Sequence, residues 1–483
     1  MTSVVDQKSV PAFEKLYVGG EWVQPSGDTY IEVISPSTEE VISRVPQPVP
    51  EDVDRAVAAA RDAFAGPWRK TSPEERGHLL NRIADEVEKR VPEFASVFAA
   101  EIGAPVALGA PLHAMAVQML RQASRLHEQV AFVEDRVDGE ANVSIVREPV
   151  GVVGAIIPWN APVGGAALKL GSALAAGCTV VLKPAPEGPL TTYMLAECLE
   201  AAGVPEGVVS VLPAGREVGE HLVRHPDVDK ITFTGSTEAG KRVGSLCGER
   251  IARVSLELGG KSAAIIAEDA ELGDVLPTLL AGGIGHSGQI CAALTRVLVP
   301  RSRAAEFADA MAFAMSAMVV GDPFDPATML GPLAMERKRN RVESYIEIGR
   351  QEGAKIACGG GRPAHLDKGF YVEPTLFTDV DNSMRIAREE IFGPVISMIS
   401  YGSIDEAIDI ANDSPYGLSG SVYTNDQQIA KRVVSEVRTG QIFVNSHAVC
   451  ASQPFGGFKQ SGHGREGGPE GIAPYLETKM IQW

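Results

Sequence analysis

From about residue 150 to 258 the chain alternates short β-branched runs with helical segments, and that rhythm limits the folds open to it. Strands are predicted at "VGVVGAII", "CTVVLK", "GVVSVL", "DKITFTG" and "RVSLEL", with helices between them at about 163–176, 190–202, 215–225 and 236–248. Such alternation of apolar strands with helices implies a parallel sheet covered on both faces. A second α/β stretch follows from about 260 to 445, with strands such as "TRVLVP", "VISMISY", "SGSVYT" and "QIFVN". Upstream, "LYVGGEWV" predicts a hairpin around Gly19-Gly20. Helical patterns cover about 51–65 and 73–100, the second opened by Pro73. The tail "YLETKMIQW" predicts a closing strand.

A length of 483 residues suggests two to four domains, and 45% hydrophobic with 22% charged residues is an ordinary globular balance. The formal net charge of −18 repels nucleic acid and anionic lipid, so an anionic cofactor must be held by local donors. The six cysteines (178, 198, 247, 291, 358 and 450) are scattered, which suggests neither a disulfide framework nor a metal site. The stretch "MTSVVDQKSVPAFEK" lacks the apolar centre of a signal peptide. The uncharged run 150–168 holds two prolines and four glycines, which would break a spanning helix. A soluble, cytoplasmic chain is expected.

Several loops carry residues suited to chemistry. In "HSGQICAALTR", Cys291 lies among glycines and hydroxyls, where it is either a nucleophile or a small buried apolar residue. "ITFTGSTEAG" puts Gly235-Ser236 between a strand and a helix N-terminus, a place that binds anions but also an ordinary turn. In "AIIPWNAPVGG", Asn160 sits at a strand's carboxyl end, where its amide could face an oxyanion or merely close a turn. Glu257 in "SLELGGKSA" is a carboxylate followed by two glycines that would let a ligand approach. Lys183 in "LKPAPEGP" and the acid-aromatic turn "EEIFGPV" are similar in kind.

Taken in order, "PWNAP", "LKPAP", "FTGSTEAG", "LELGGKSA", "GQICAALTR", "EEIFGPV", "FVN" and "PFGGFKQSGHGRE" make the chain resemble the aldehyde dehydrogenase superfamily over nearly its whole length. One departure is that Ile284 and Gly285 stand where that family often has aromatic residues. The resemblance implies Cys291 as nucleophile, Glu257 as general base, Asn160 with the Cys291 N–H as oxyanion hole, and Lys169 in a proton-relay region. Around NAD it implies Ile156, Pro158, Trp159, Lys183, Gly215, Gly219, Phe233, Gly235, Ser236, Leu258, Glu390 and Phe392. Pro186 replaces the glutamate that NAD-preferring relatives often carry there, so NADP should be tolerated, with Arg216 near its phosphate.

The implied fold is α/β: a Rossmann-like nucleotide-binding domain (1–127 and 150–259), an α/β catalytic domain (260–445, extending to about 465) and a small β oligomerisation element (128–149 and 470–483). A homodimer or homotetramer follows from that element. The implied activity is NAD(P)-dependent oxidation of an aldehyde to an acid without CoA, since Glu257 is present. Spacing from the matched motifs puts Ala161, Gly165, Leu168, Gly285, His447, Val449, Cys450 and Phe455 along the substrate tunnel. Three of these are Ala or Gly, which implies a bulky hydrophobic aldehyde over a small aliphatic one or a semialdehyde. The rivals are a cysteine hydrolase using His286 or His447, and a non-enzymatic binding protein on the same fold.

Overall fold

Helix-start chemistry in the sequence sets the first elements of the fold. Ser72 caps the helix Pro73–Lys89 and Glu75 returns the bond, a reciprocal capping box. The helix expected over 73–100 is two helices, Pro73–Lys89 and Val91–Ile102, broken at Arg90. Pro92 explains the break: it has no N–H to donate, and its ring would strike the carbonyl one turn back. The computed structural model describes residues 10–483 apart from Val449, so the first nine residues of the N-terminal stretch lie outside the described residues.

The strands expected over 150–258 and the hairpin around Gly19-Gly20 all form within one eight-stranded sheet. Its order is Glu21–Val23, Leu16–Val18, Val209–Val211, Thr179–Pro184, Val152–Ile157, Lys230–Thr234, Arg253–Glu257 and Gly462–His463. The five central strands run parallel. In chain order they lie 3-2-1-4-5, the doubly wound arrangement. The order reverses between Val152–Ile157 and Lys230–Thr234, where such sheets open a ligand crevice.

A seven-stranded sheet holds Ala263–Ile266, Arg296–Pro300, Thr375–Thr378, Val395–Tyr401, Gly420–Tyr423 and Phe443–Val444 in parallel, with Lys355–Cys358 antiparallel at one edge. Glu257 ends the last parallel strand of the first sheet, and Ala263 begins the second sheet six residues later. Cys291 precedes Arg296–Pro300, so the site lies between the carboxyl edge of one sheet and the amino edge of the other.

The hairpin Val133–Asp138 and Ala141–Pro149 pairs with the C-terminal strand Leu476–Gln482 in a separate three-stranded sheet. Both outer strands of that sheet expose apolar side chains, including Val133, Val137 and Met480. No helix among the described residues is long and apolar enough to cross a membrane.

Candidate active site

The loop before Cys291 is held in an unusual backbone path. His286 and Ser287 have φ of 52° and 53°, and Gly288 follows at 70°. Left-handed conformation costs non-glycine residues free energy, and it persists where the surroundings fix it. Here Ser287 Oγ donates to Gly331 O at 2.7 Å, and the buried His286 ring places Nε2 3.0 Å from the Asn160 carbonyl oxygen. A Cβ at Gly288 would come within 2.0 Å of Gly393 O, so only glycine fits. Gly260 is equally restricted, because a Cβ there would meet Cys291 O at 2.7 Å. The "GG" after Glu257 therefore lets the Glu257 loop and the Cys291 loop touch.

Cys291, Glu257 and Asn160 all line one cavity of about 370 Å³. The Asn160 amide donates one N–H to Gln289 O at 2.9 Å, which fixes its plane and leaves a second donor free. Glu257 is buried, and neither carboxylate oxygen has a hydrogen-bond partner among the described residues. Burial, then the neighbouring Glu466 carboxylate, raises its carboxyl well above the ordinary range. Burial likewise pushes the Cys291 thiol up, with the Glu257 charge adding to the effect. Each group disfavours the other's charge, so a bound cationic ring and displaced water would change both.

Lys169 is buried in the helix Pro162–Ala176 and forms an ion pair with Glu466, with Thr232 Oγ1 3.3 Å from its Nζ. Glu466 closes the motif "PFGGFKQSGHGRE" and lines the same cavity as Glu257, yet sequence reasoning gave it no role. The signal was there: a second acid 209 positions away, visible as a partner of Lys169 only once folded.

A separate cleft of about 560 Å³ opens at the reversal of strand order, lined by Ile156, Lys183, Gly215, Gly219, Phe233 and Ser236 among others. Ser236 caps the helix Thr237–Glu249 through the Ala239 N–H, so free N–H groups and a helix dipole face the cleft. Lys183 is buried with its amine on the Pro184 and Ala214 carbonyls, and burial lowers it to about 8. Glu187 and Arg216 also line this cleft, and Glu187 is paired with Arg337.

Trp159 and Phe392, which line neither the cleft nor the cavity, meet edge to face at 5.7 Å, with the Lys338 amine over both rings. Phe392 itself has φ of 62°. The Glu390 carboxylate accepts the Gly260 N–H at 3.1 Å. Pro158 lines the cavity rather than the cleft, while Gly235 and Leu258 lie beside the cleft without lining it. Leu258 packs on the helix Thr237–Glu249 at Gly240.

Of the tunnel residues, Ala161, Gly165, Leu168, His447 and Phe455 line the cavity. Gly285 and Cys450 do not. Gly285 follows the end of the helix Leu272–Ile284, and it is Ala281 and Gly282, a turn earlier, that face the cavity. Cys450 is exposed. Val449 lies outside the described residues. The helix Val106–Ser124, which the sequence pattern did not announce, contributes Leu108, Leu112, Met115 and Met119, and Phe98 joins from Val91–Ile102. Gly109 and Pro111 inside that helix hid its periodicity.

The imidazoles available to a cysteine hydrolase are tied elsewhere. His286 Nε2 contacts the Asn160 carbonyl and His447 Nε2 the Ala292 carbonyl, each at 3.0 Å, and burial lowers both rings to about 4. Neither makes a hydrogen bond to Cys291 among the described residues.

The model of the Aldehyde dehydrogenase family matches residues 22–481. The chain belongs to the aldehyde dehydrogenase family. It is 44% identical over 471 residues to a geranial dehydrogenase of Castellaniella defragrans, covering 97% of this chain and 98% of the other. It is 42% identical to a 3-succinoylsemialdehyde-pyridine dehydrogenase of a Pseudomonas species, with 97% and 98% covered. A Mycobacterium tuberculosis aldehyde dehydrogenase complexed with NAD+ superposes with a TM-score of 0.96 at 45% identity, covering 98% of each chain. A mutant of aldehyde dehydrogenase C from Pseudomonas syringae, complexed with NAD+ and octanal, gives 0.95 at 42% identity over 98% of each. The α/β aldehyde dehydrogenase fold expected from the sequence is the fold observed.

Proposed function

We propose that this protein oxidises a bulky hydrophobic aldehyde to its carboxylic acid with NAD+. One observation carries the reading: Cys291, Glu257 and Asn160 converge on a single apolar cavity beside a cleft suited to a dinucleotide. Lys183 and the N-terminus of the helix Thr237–Glu249 fit ribose hydroxyls and pyrophosphate, and Glu390 stands free on one side for the second ribose. When bound, the nicotinamide ring supplies a hydride acceptor. Cys291 adds its thiolate to the aldehyde carbon, and the free Asn160 N–H with the Cys291 N–H holds the resulting oxyanion. Loss of hydride leaves a thioester on Cys291. Glu257 then takes a proton from water, the oxygen attacks the thioester carbon, and the C–S bond breaks to release the acid.

The substrate class follows from the cavity wall. Leu108, Leu112, Met115, Met119, Leu168 and Phe455 are apolar, and among the described residues no arginine or lysine lines the cavity to receive a second carboxylate. Its volume is near the lower end of the range for small-molecule sites, about 300–1,000 Å³. Aromatic, terpenoid or longer aliphatic aldehydes fit that wall better than a carboxylate-bearing semialdehyde. The relative named for geranial and the one whose mutant is complexed with octanal support this choice.

In this reading residues 1–127 and 150–259 are the nucleotide-binding domain and 260–465 the catalytic one, whose strand Gly462–His463 adds to the edge of the first sheet. The sheet formed by 128–149 and 470–483 joins subunits in a dimer or tetramer, since its open edges would otherwise invite unspecific pairing. Measuring NADH formation over a panel of aldehydes tests the proposal. Cys291→Ala should abolish turnover while leaving NAD+ binding intact. Equal turnover without a nicotinamide cofactor would overturn it.

A further inference from the structure

A column of polar side chains crosses the core of the first sheet. Lys230, Thr232 and Thr234 alternate on one face of their strand, in register with Arg253, Ser255 and Glu257 on the neighbouring strand. Apolar residues would be expected on the buried face of a central parallel strand. Instead, Thr232 Oγ1 lies within 3.5 Å of Glu466 and 3.3 Å from the Lys169 amine, and Lys230 Nζ donates to Ser255 Oγ at 2.7 Å. The Lys230 amine also sits 4.9 Å from the centre of the Tyr475 ring, whose hydroxyl bonds Thr232.

Lys230 is almost fully buried and has no ion-pair partner among the described residues. A methionine would fill such a place without the cost of burying an amine. Groups facing that amine are Cys178, Lys169, Glu466, Arg253 and His463, together with Tyr475 and Ser255. At the far end of the column, Ser255 abuts Gly464, next to the exposed His463 on the edge strand. The column therefore links the catalytic cavity, through Glu466, to the protein surface.

Thioester hydrolysis makes such a link useful. For each turnover water adds to the thioester carbon, Cys291 leaves as thiolate, and the water's proton stays on Glu257. Nothing is oxidised or reduced in this step, but the base must lose its proton before the next cycle. We propose that Lys230, with Thr232 and Ser255, is the exit for that proton, receiving it from the Lys169–Glu466 pair and passing it to solvent beside His463. The assignment rests on the aldehyde-oxidation reading above. It makes Lys230 a positioning and proton-handling residue, never a group that touches substrate. Burial lowers its amine to about 7, which suits exchange of a proton near neutral pH.

The test follows the acyl-enzyme directly. Enzyme, NAD+ and aldehyde are mixed, quenched in acid at intervals and weighed intact, while NADH is followed in parallel. Lys230→Met should form NADH in the first turnover as fast as wild type, then lose the acyl mass about tenfold more slowly, less than the roughly 10²–10⁴ of a direct general acid or base because Lys230 acts through the relay. Lys230→Arg keeps a cation and a donor for Ser255 but does not release its proton, so it should fold with an unchanged Tm and still deacylate slowly. Ser255→Ala, which keeps the Lys230 amine but removes the hydroxyl that accepts from it, should slow deacylation in the same way. In wild type the decay should rise with pH through two inflections, one for the Glu257 carboxyl and a second near neutrality; the Met and Arg variants should keep the first and lack the second. Wild-type decay in Lys230→Met, or full recovery in Lys230→Arg, would show a structural lysine and overturn the proposal. Failure of wild type to form NADH with any aldehyde would instead overturn the functional reading itself.

Discussion

Asn160→Ala isolates one interaction that the structure defines closely. Among the described residues Asn160 is the only side-chain amide on the cavity wall, and one of its two N–H groups is already committed to Gln289 O. The mutation thus removes a single donor from the oxyanion position and leaves the Cys291 N–H in place. The backbone at 160 stays anchored, because His286 contacts its carbonyl oxygen rather than its side chain. Loss of one preorganised donor in a dry site costs roughly 2.7–4 kcal/mol, or about 10²–10³ in rate. The lost bond to Gln289 O should cost about 1 kcal/mol of stability, a small shift in Tm. Stopped-flow measurement of NADH formation in the first turnover reads the step in question, since the oxyanion forms before hydride leaves. The expected result is a rate depressed by two to three orders of magnitude with cofactor affinity unchanged. A first-turnover rate equal to wild type would remove Asn160 from the oxyanion hole and with it the geometry on which the mechanism depends.

Glu257→Gln should keep the first-turnover burst of NADH and slow the steady state, and loss of the burst would show that Glu257 also activates Cys291. Because burial holds the Glu257 carboxyl above the ordinary range, the base is protonated and idle at low pH. Deacylation should therefore rise with pH through an inflection above the usual carboxylate value of about 4.3, and a decay rate already at its plateau at pH 5 would contradict this. Gly165→Phe should be tolerated, as its Cβ meets nothing nearer than Ile157 Cγ2 at 3.6 Å. It should cut kcat/KM for bulky aldehydes while sparing acetaldehyde, and an equal loss for both would refute the assigned wall. Glu187 lines the dinucleotide cleft in an ion pair with Arg337, so Glu187→Ala should raise kcat/KM with NADP relative to NAD; an unchanged ratio would mean that shape alone excludes the 2′-phosphate.

The cofactor side was legible because it depends on local order. Strand, turn and helix start are written in adjacent residues, and "ITFTGSTEAG" places its capped helix where the pattern says. The tunnel was legible only in part. Ala161, Gly165 and Leu168 lie on or beside the helix that follows the Asn160 turn, so counting from the motif reached them. Gly285 failed because distance along a loop is not distance in space: the helix before it turns Ala281 and Gly282 toward the cavity instead.

The sequence by itself determined the alternation of strands and helices and the order of the motifs, and it offered Cys291 and Glu257 as candidates for nucleophile and base. These rest on backbone periodicity and on side-chain chemistry, both read within a few residues. Tertiary structure decided what stands opposite them. Lys169 meets Glu466 across 297 positions, Lys230 meets Ser255 across two paired strands, and the helix Val106–Ser124 forms a wall no motif announced. Contacts of that kind arise from how whole sheets and helices pack, and packing is a property of the assembled chain, set by burial of apolar surface from segments far apart in sequence.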